Sequence, residues 1–164
     1  SLTGHMVLST LHTNSAPETI TRLLDMDVEP FLIAASLEAV LAQRLCRKVC
    51  RFCKETYKPD EEEMTELGVP KAWRVDPKFR LVKAVGCQSC EYTGYLGRTG
   101  LYEMITVDEG IRDLVLESAT SMKLRRYSRK HLGMITLREA GLLKAVQGIT
   151  TGAEVLYHTD LNED

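Results

Sequence analysis

The sequence predicts an α/β protein with a small cysteine-rich insertion and a helical C-terminal part. Three observations support this class. The apolar run at residues 6–11 is rich in strand formers and has no polar alternation, which is typical of a central strand covered on both faces. Helix-start patterns follow at residue 15 and again three times after residue 105. Two Cys-x-x-Cys pairs lie between these regions.

The composition of the 164-residue chain argues against several classes of protein. Its apolar fraction of 44% and charged fraction of 27% are ordinary for a globular protein, and its length has room for one core and one satellite module. The net charge of −2 gives no global argument for nucleic acid or an anionic membrane as a partner. We expect no membrane span, because no apolar run approaches ~18 residues, and no signal-peptide pattern is recognised at the start of the sequence.

Capping patterns predict where the first two helices begin. Ser15-x-x-Glu18, with Pro17 in the first turn, predicts a helix start. Pro30 is expected to open a second helix that is apolar almost all round and therefore buried. The apolar residues predicted for this second helix are Phe31, Leu32, Ile33, Leu37, Val40 and Leu41.

The C-terminal part is predicted to be a return strand followed by three or four short helices. Residues 101–105 have the composition of a strand that rejoins the main sheet. Gly133 and Gly148 stand where glycines commonly end helices. Three glycines before the strand are read as turn residues, since a nucleotide fingerprint needs glycines after a strand. They are Gly94, Gly97 and Gly100, and the capping-box patterns are Thr106-x-x-Glu109, Thr136-x-x-Glu139 and Thr151-x-x-Glu154.

Cys50, Cys53, Cys87 and Cys90 form the two Cys-x-x-Cys pairs, with 33 residues between the pairs. A tetrahedral Zn²⁺ takes four thiolates at ~2.3 Å, and each two-residue loop can present two of them. Because four cysteines leave no open coordination position, the predicted zinc is structural. Two disulfides, four unrelated thiols or a redox function of the pairs are the alternatives. The fifth cysteine, Cys46, follows an apolar stretch and is expected to be a buried thiol.

Two histidines bracket the first predicted strand. His5 precedes it, whereas His12 follows it, at the carboxyl end where ligands gather in open α/β sheets. A histidine with a pKa near ~6.5 can donate a hydrogen bond or a positive charge to a phosphate. Spacing alone favours the alternative that both are ordinary turn histidines. The chain contains no Gly-x-x-x-x-Gly-Lys-Ser/Thr pattern, so it has no ordinary P-loop of its own.

A basic cluster falls on one predicted helix of the C-terminal part. It could meet nucleic acid, an acidic lipid surface or an acidic partner face. A solvated helix face is the commoner explanation, and no aromatic interleaving indicates base stacking. The cluster consists of Lys123, Arg125, Arg126, Arg129, Lys130 and His131.

Residues 3–14, Thr-Gly-His-Met-Val-Leu-Ser-Thr-Leu-His-Thr-Asn, resemble the histidine box of the secretion ATPase family, the motors of type II secretion and type IV pili. The cysteine pairs resemble the tetracysteine zinc insertion of the assembly-side members. Further segments resemble family motifs in the same order along nearly the whole chain, at residues 22–26, 41–45, 94–103 and 133–139.

The resemblance implies a fold and a set of sites. The fold would be a partial RecA-like P-loop ATPase core with a tetracysteine zinc insertion and a C-terminal helical subdomain. Residues 1–49 would form the end of the core with the histidine box, residues 50–95 the zinc subdomain, and residues 96–164 the return strand and helical subdomain. His5 and His12 would lie near the terminal phosphate of ATP. Structural Zn²⁺ would be held by the four paired cysteines.

The resemblance also implies a larger parent protein. This parent would be a hexamer that hydrolyses ATP with Mg²⁺ on the cytoplasmic side of a bacterial inner membrane. It would drive an inner-membrane platform protein of the pilus or secretion machinery, without a nucleic-acid partner. The Walker A region would lie before residue 1, so this chain alone is expected to be inactive as an ATPase. Pilus and secretion roles stay open, as does the alternative of a zinc-stabilised module that binds nucleic acid or protein without catalysis.

Overall fold

The computed structural model describes residues 4–159, which form helices and strands in two compact units. The first unit ends at Ala42 and resumes over Glu103–Ile135, and the second takes Gln43–Tyr102 and resumes at Thr136. Strand β1 (Ala39–Val49) pairs with β4 (Tyr95–Thr106), and β2 (Glu55–Tyr57) pairs antiparallel with β3 (Leu81–Lys83). In chain order the elements are α1 Ala16–Asp25, α2 Pro30–Ser36, β1 Ala39–Val49, β2 Glu55–Tyr57, α3 Glu61–Glu66, α4 Lys71–Arg74, β3 Leu81–Lys83, a 3₁₀ turn at Gln88–Cys90, β4 Tyr95–Thr106, α5 Glu109–Leu116, α6 Ser121–Leu132, α7 Leu137–Val146 and α8 Gly152–His158.

The first unit packs α1, α2, α5 and α6 around one apolar core. Helix α1 begins where the sequence predicts, because the Ser15 hydroxyl accepts the backbone N–H of Glu18 at 3.4 Å. The buried Glu103 carboxylate accepts the N–H of Ala16 at 2.7 Å and so satisfies a second donor of the first turn. The largest fully buried apolar side chains of this core are Ile20, Ile105, Ile111 and Leu124.

Residues 6–11 do not form the predicted central strand. Met6 is 89% exposed and Leu8 is 90% exposed, and no strand within residues 4–159 pairs with this run. A central strand needs hydrogen-bonding partners on both sides and cover on both faces. Apolar composition alone therefore did not determine the strand, and the prediction was wrong for the described part of the chain.

The second predicted helix is shorter than the sequence suggests. Helix α2 ends at Ser36, and Val40 and Leu41 belong to strand β1. Only part of α2 is buried, since Ile33 is 3% exposed but Phe31 is 59% exposed. The alanine-, leucine- and arginine-rich run favours helix locally, but pairing with β4 outweighs this preference.

The predicted caps are confirmed in part. Thr136 and Glu139 form a reciprocal capping box at the start of α7, with bonds of 3.2 and 2.8 Å. Thr106, in contrast, is the last residue of β4, and the cap of α5 is Asp108, which accepts the N–H of Ile111 at 2.9 Å. The predicted helix-ending glycines 133 and 148 have φ of 66° and 68°. Glycine 94 lies in a turn as predicted, whereas glycines 97 and 100 lie within β4.

The second unit packs α7, α8 and the β2–β3 pair around its own core. Cys46 is 1% exposed beside Leu101 and Leu137, which confirms that it is buried. Burial raises the pKa of its thiol. The apolar core of this unit comprises Met64, Leu67, Val69, Phe79, Leu81, Leu142, Ala145 and Val155.

Glu154 joins the start of α8 to strand β1 through a buried carboxylate. Thr151 caps α8 by accepting the Glu154 N–H at 3.2 Å, but the Glu154 carboxylate does not complete a capping box. It accepts the backbone N–H of Arg47 at 2.8 Å and the Arg47 Nε–H at 3.0 Å instead. Burial alone would raise the pKa of Glu154, but the Arg47 bonds and the nearby His158 outweigh it and lower that pKa.

This pair predicts a loss of stability in acid. Because folding lowers the Glu154 pKa, its contribution is complete above the unfolded value of ~4.3 and is lost as pH falls through the folded value. We expect Glu154→Gln to cost about 1–2 kcal/mol at pH 7, since Arg47 is half-exposed and the pair is partly screened. The difference between variant and parent should shrink on going to pH 3. Urea unfolding at both pH values measures this, with Glu62→Gln, at an exposed position, as the control. A pH-independent difference would contradict it.

Candidate metal centre

Two tight turns position the four paired cysteines. Cys50 directly follows β1, and its carbonyl accepts the N–H groups of Cys53 and Lys54 at 3.4 and 3.1 Å. The second turn is similar but wider, since the Cys87 carbonyl accepts the N–H groups of Cys90 and Tyr92, three and five residues ahead. A backbone hydrogen bond joins the two turns, from the N–H of Cys50 to the carbonyl of Gly94 at 2.8 Å.

The four sulfur atoms of these cysteines lie together at the spacing of a tetrathiolate metal site. The Sγ–Sγ distances are 3.9 Å for Cys50 and Cys87, and 3.8 Å for both Cys53–Cys90 and Cys87–Cys90. All four atoms lie within 4.8 Å of one another. A tetrahedron with metal–sulfur bonds of ~2.3 Å has edges of ~3.8 Å, whereas a disulfide needs ~2.0 Å. The cluster could therefore hold a metal ion, and its cysteines are free rather than disulfide-bonded.

Backbone amides point at the sulfur atoms. Gly86 donates its N–H to Cys53 Sγ at 3.3 Å. Cys90 Sγ accepts two such bonds, from the N–H groups of Cys87 and Gly94, both at 3.2 Å. An amide N–H stabilises negative charge on its acceptor, so these bonds favour thiolates over thiols.

Two thiols of the cluster, those of Cys53 and Cys90, have pKa values that move in opposite directions. Burial raises the pKa of Cys90, but the amides of Cys87 and Gly94 and the adjacent thiols outweigh burial and lower that pKa to about 6. Burial raises the pKa of Cys53 to about 11, and the neighbouring thiols reinforce this against the Gly86 amide. One thiolate therefore forms readily and the next is disfavoured beside it. A divalent cation offsets this repulsion, and binding it releases the remaining protons.

Gly86 is a functional position that sequence reasoning missed. Its φ is +111°, and a Cβ placed there would lie 2.6 Å from the carbonyl oxygen of Tyr92. Only glycine fits this close approach, which also aims the Gly86 N–H at Cys53. The available signal was its position directly before the second cysteine pair.

The two histidines lie in the first unit, outside regular secondary structure. Both His5 and His12 are exposed, and Thr3, which opens the histidine-box pattern, lies outside the described residues. His12 lines a surface pocket of about 280 Å³ together with Asn14, Glu18 and Arg22. This pocket holds groups of both charges, and the phosphate role of the histidines stays a prediction.

The basic cluster lies on helix α6, whose buried side faces α1 and α5. Leu124 and Ser128 are fully buried, while Lys123, Arg126 and Lys130 are exposed. This distribution agrees with a solvated outer face. As for membranes, no helix within residues 4–159 is both long and apolar enough to span one.

The fold and the cysteine cluster together define the class of protein: the chain mixes helices with strands and carries four clustered cysteines that could hold a metal ion. A family model described as "Type II/IV secretion system protein" matches residues 1–157. The chain belongs to this family.

Three relatives show the similarity in detail. The chain is 48% identical to the "Type IV pilus assembly ATPase PilB" of Thermus thermophilus, over 97% of this chain and 18% of that protein. It is 47% identical to the "Type II secretion system protein E" of Pseudomonas aeruginosa, over 97% of this chain and 30% of that protein. It is 44% identical to the "Type IV pilus assembly ATPase PilB" of Myxococcus xanthus, over 97% of this chain and 28% of that protein. The chain thus spans less than a third of each of these relatives.

Proposed function

We propose that this chain is the C-terminal part of an ATPase motor that powers assembly of a type IV pilus or a type II secretion pseudopilus. One observation carries the proposal: a chain with a preformed four-cysteine cluster matches, over 97% of its length, relatives named as pilus-assembly and secretion ATPases. The parent would work as a hexamer against an inner-membrane platform protein, on the cytoplasmic face of the membrane.

The cluster is proposed to hold a structural Zn²⁺. The four ligands Cys50, Cys53, Cys87 and Cys90 are all sulfur, which suits zinc, and their number fills a tetrahedral shell. The ion would stabilise the insertion at residues 50–95, whose elements between the two turns are only three to six residues long. No chemistry of ATP is assigned to this ion.

Residues 1–49 are proposed to complete a RecA-like core in the parent protein, and residues 96–164 to form its return strand and helical end. The exposed apolar run at residues 6–11 supports this, because such a run gains stability when strands of the parent cover it. Residues 1–164 carry no Walker A pattern, so ATP and Mg²⁺ would bind mainly through other parts of the parent.

His5 and His12 are proposed to stabilise charge at the terminal phosphate of ATP. In the parent protein, His12→Ala should lower ATP turnover about tenfold or more, because a donor aimed at developing charge is removed. Folding should be unaffected, since His12 is exposed. Phosphate release at saturating ATP measures this, with His131→Ala, an exposed histidine of the same unit, as the matched control. Unaltered turnover would return His12 to the status of a turn residue.

A chimera tests the proposed function as a whole. This chain would replace the matching segment of the Thermus thermophilus relative, and ATP turnover and hexamer formation would be measured. We expect the chimera to hydrolyse ATP and the isolated chain to be inactive. A folded, zinc-loaded chimera without turnover would favour the alternative, a zinc-stabilised binding module. Complementation of pilus or secretion mutants would then separate the two motor roles.

A further inference from the structure

A cavity of about 490 Å³ opens on the second unit, beside the β2–β3 pair. Thr56 and Val82, which are partners in this pair, both line it. The loop after α4 and the C-terminal end of α7 complete its walls. Its volume lies within the ~300–1,000 Å³ typical of ligand pockets. Neither the cysteine cluster nor the histidines belong to it.

Positive charge dominates the rim of this cavity. Lys54, Lys78 and Arg80 line it, against one acidic residue, Asp76. The Asp76 carboxylate accepts the backbone N–H of Lys78 at 2.8 Å and thus also serves the local turn. In a chain whose net charge is −2, such a local excess of cations attracts an anionic ligand.

Backbone carbonyls hold two of these cations in place. Arg80 donates from Nη1 to the carbonyls of Pro77 and Phe79, both at 2.8 Å. Lys54 donates from Nζ to the carbonyl of Gly148 at 2.9 Å. A guanidinium has five N–H donors and an ammonium three, so both groups keep donors for a ligand. Fixing them in advance lowers the entropy cost of binding.

Two aromatic side chains provide the apolar part of the cavity. The Trp73 and Phe79 rings lie 6.4 Å apart at an angle of 37°. Phe79 is buried, whereas Trp73 is half-buried and can cover part of a ligand. Aromatic surface beside fixed cations is a common composition of peptide-binding hot spots.

We propose that this cavity binds an acidic peptide segment of a partner protein. Its carboxylates would pair with the rim cations, and an apolar side chain would pack on Trp73 and Phe79. A peptide is favoured over a phosphate-rich ligand for two reasons. The cations come from two segments of the chain, Lys54 from one and Lys78 with Arg80 from the other, which suits carboxylates spaced along a peptide. In addition, the aromatic part of the cavity would pack an apolar side chain, which a polyphosphate lacks.

Tryptophan fluorescence provides a direct test, because Trp73 is the only tryptophan of the chain. The full zinc-loaded chain would be titrated with a short peptide in which glutamate alternates with leucine. We expect a saturable change in emission that weakens as salt is raised. A peptide with glutamine in place of glutamate should bind much more weakly. Equal binding of both peptides, stronger binding of ATP or inorganic triphosphate, or no saturable change would overturn the proposal.

Charge reversal identifies the site. The double variant Lys78→Glu, Arg80→Glu should bind the acidic peptide about tenfold more weakly, since two rim pairs become repulsive. The matched control is Lys58→Glu, Lys71→Glu, which changes two exposed lysines of the same unit outside the cavity. Equal weakening by both variants would show a general charge effect and contradict the assignment.

Lys78→Glu alone keeps the test valid if the double variant misfolds, as Lys78 is exposed. Zinc content and circular dichroism would be recorded for each variant. Because no ATP turnover is measured, a negative result here would leave the proposed motor function untouched, and loss of that function would leave this site standing.

Discussion

Cys90→Ser is expected to abolish stable metal binding and to loosen residues 54–86. Serine is a poor zinc ligand, and the change also removes the acceptor of the Cys87 and Gly94 amides. Changes to groups that only support a ligand cost ~10–100-fold in metal affinity, so losing the ligand itself should cost more than about 100-fold. Zinc per purified chain and hydrogen exchange across residues 54–86 are the measurements.

Cys46→Ala is the matched control for that experiment. Cys46 is as buried as Cys90 but does not belong to the cluster. The control should keep about one zinc per chain and lose only the stability expected for a small buried side chain, about 1 kcal/mol. Full zinc and unchanged exchange in Cys90→Ser would show that the four thiols do not act as one site.

Gly86→Ala is expected to destabilise the second unit by about 3 kcal/mol. At a φ of +111° an L-residue is strained, and the new Cβ would lie 2.6 Å from a backbone oxygen that belongs to the second cysteine turn. Relieving this clash displaces either Tyr92 or the amide that Gly86 donates to Cys53. We therefore expect zinc affinity to fall together with stability. Denaturant unfolding of the zinc-loaded chain and competition with a chelator measure the two effects.

Gly68→Ala separates backbone strain from the clash. Gly68 has a φ of +69°, but a Cβ there would have no atom within 4 Å. Its cost should be about 1 kcal/mol, the cost of a left-handed residue without crowding, and zinc affinity should not change. If both glycine variants behaved alike, the approach of Gly86 to Tyr92 would have no special role in the metal centre.

Local signals predicted the parts of this structure that depend on near neighbours. Ser15 and Thr136 start helices because their hydroxyls reach amides three residues ahead, a contact that sequence spacing fixes. The two Cys-x-x-Cys turns are local in the same sense. The geometry of the sequence does not predict that the two turns meet. That prediction rested on chemistry, because four cysteine ligands in two Cys-x-x-Cys pairs are typical of one zinc site.

Features that depend on distant partners were predicted less well. Val40 and Leu41 lie in a run of good helix formers, but they are strand residues because β4 pairs with β1. Glu154 fits a capping box by spacing, but its carboxylate is bound to Arg47 instead. The apolar run at residues 6–11 has the composition of a strand, but it forms none because no strand of the described residues pairs with it. Propensity specifies a preference, and tertiary contacts decide its outcome.

The backbone hydrogen bond between Cys50 and Gly94 joins two turns that are far apart in the sequence, so the metal centre can form only after the chain between them has closed. Each cysteine turn closes over a few residues and forms quickly, whereas the contact of Cys50 with Cys87 spans 37 positions and must pay for closing that loop. A metal ion held by the four cysteines would make this long closure favourable. We therefore expect refolding of the second unit to accelerate with zinc concentration, whereas α1, α2, α5 and α6 of the first unit form at a rate that does not depend on it.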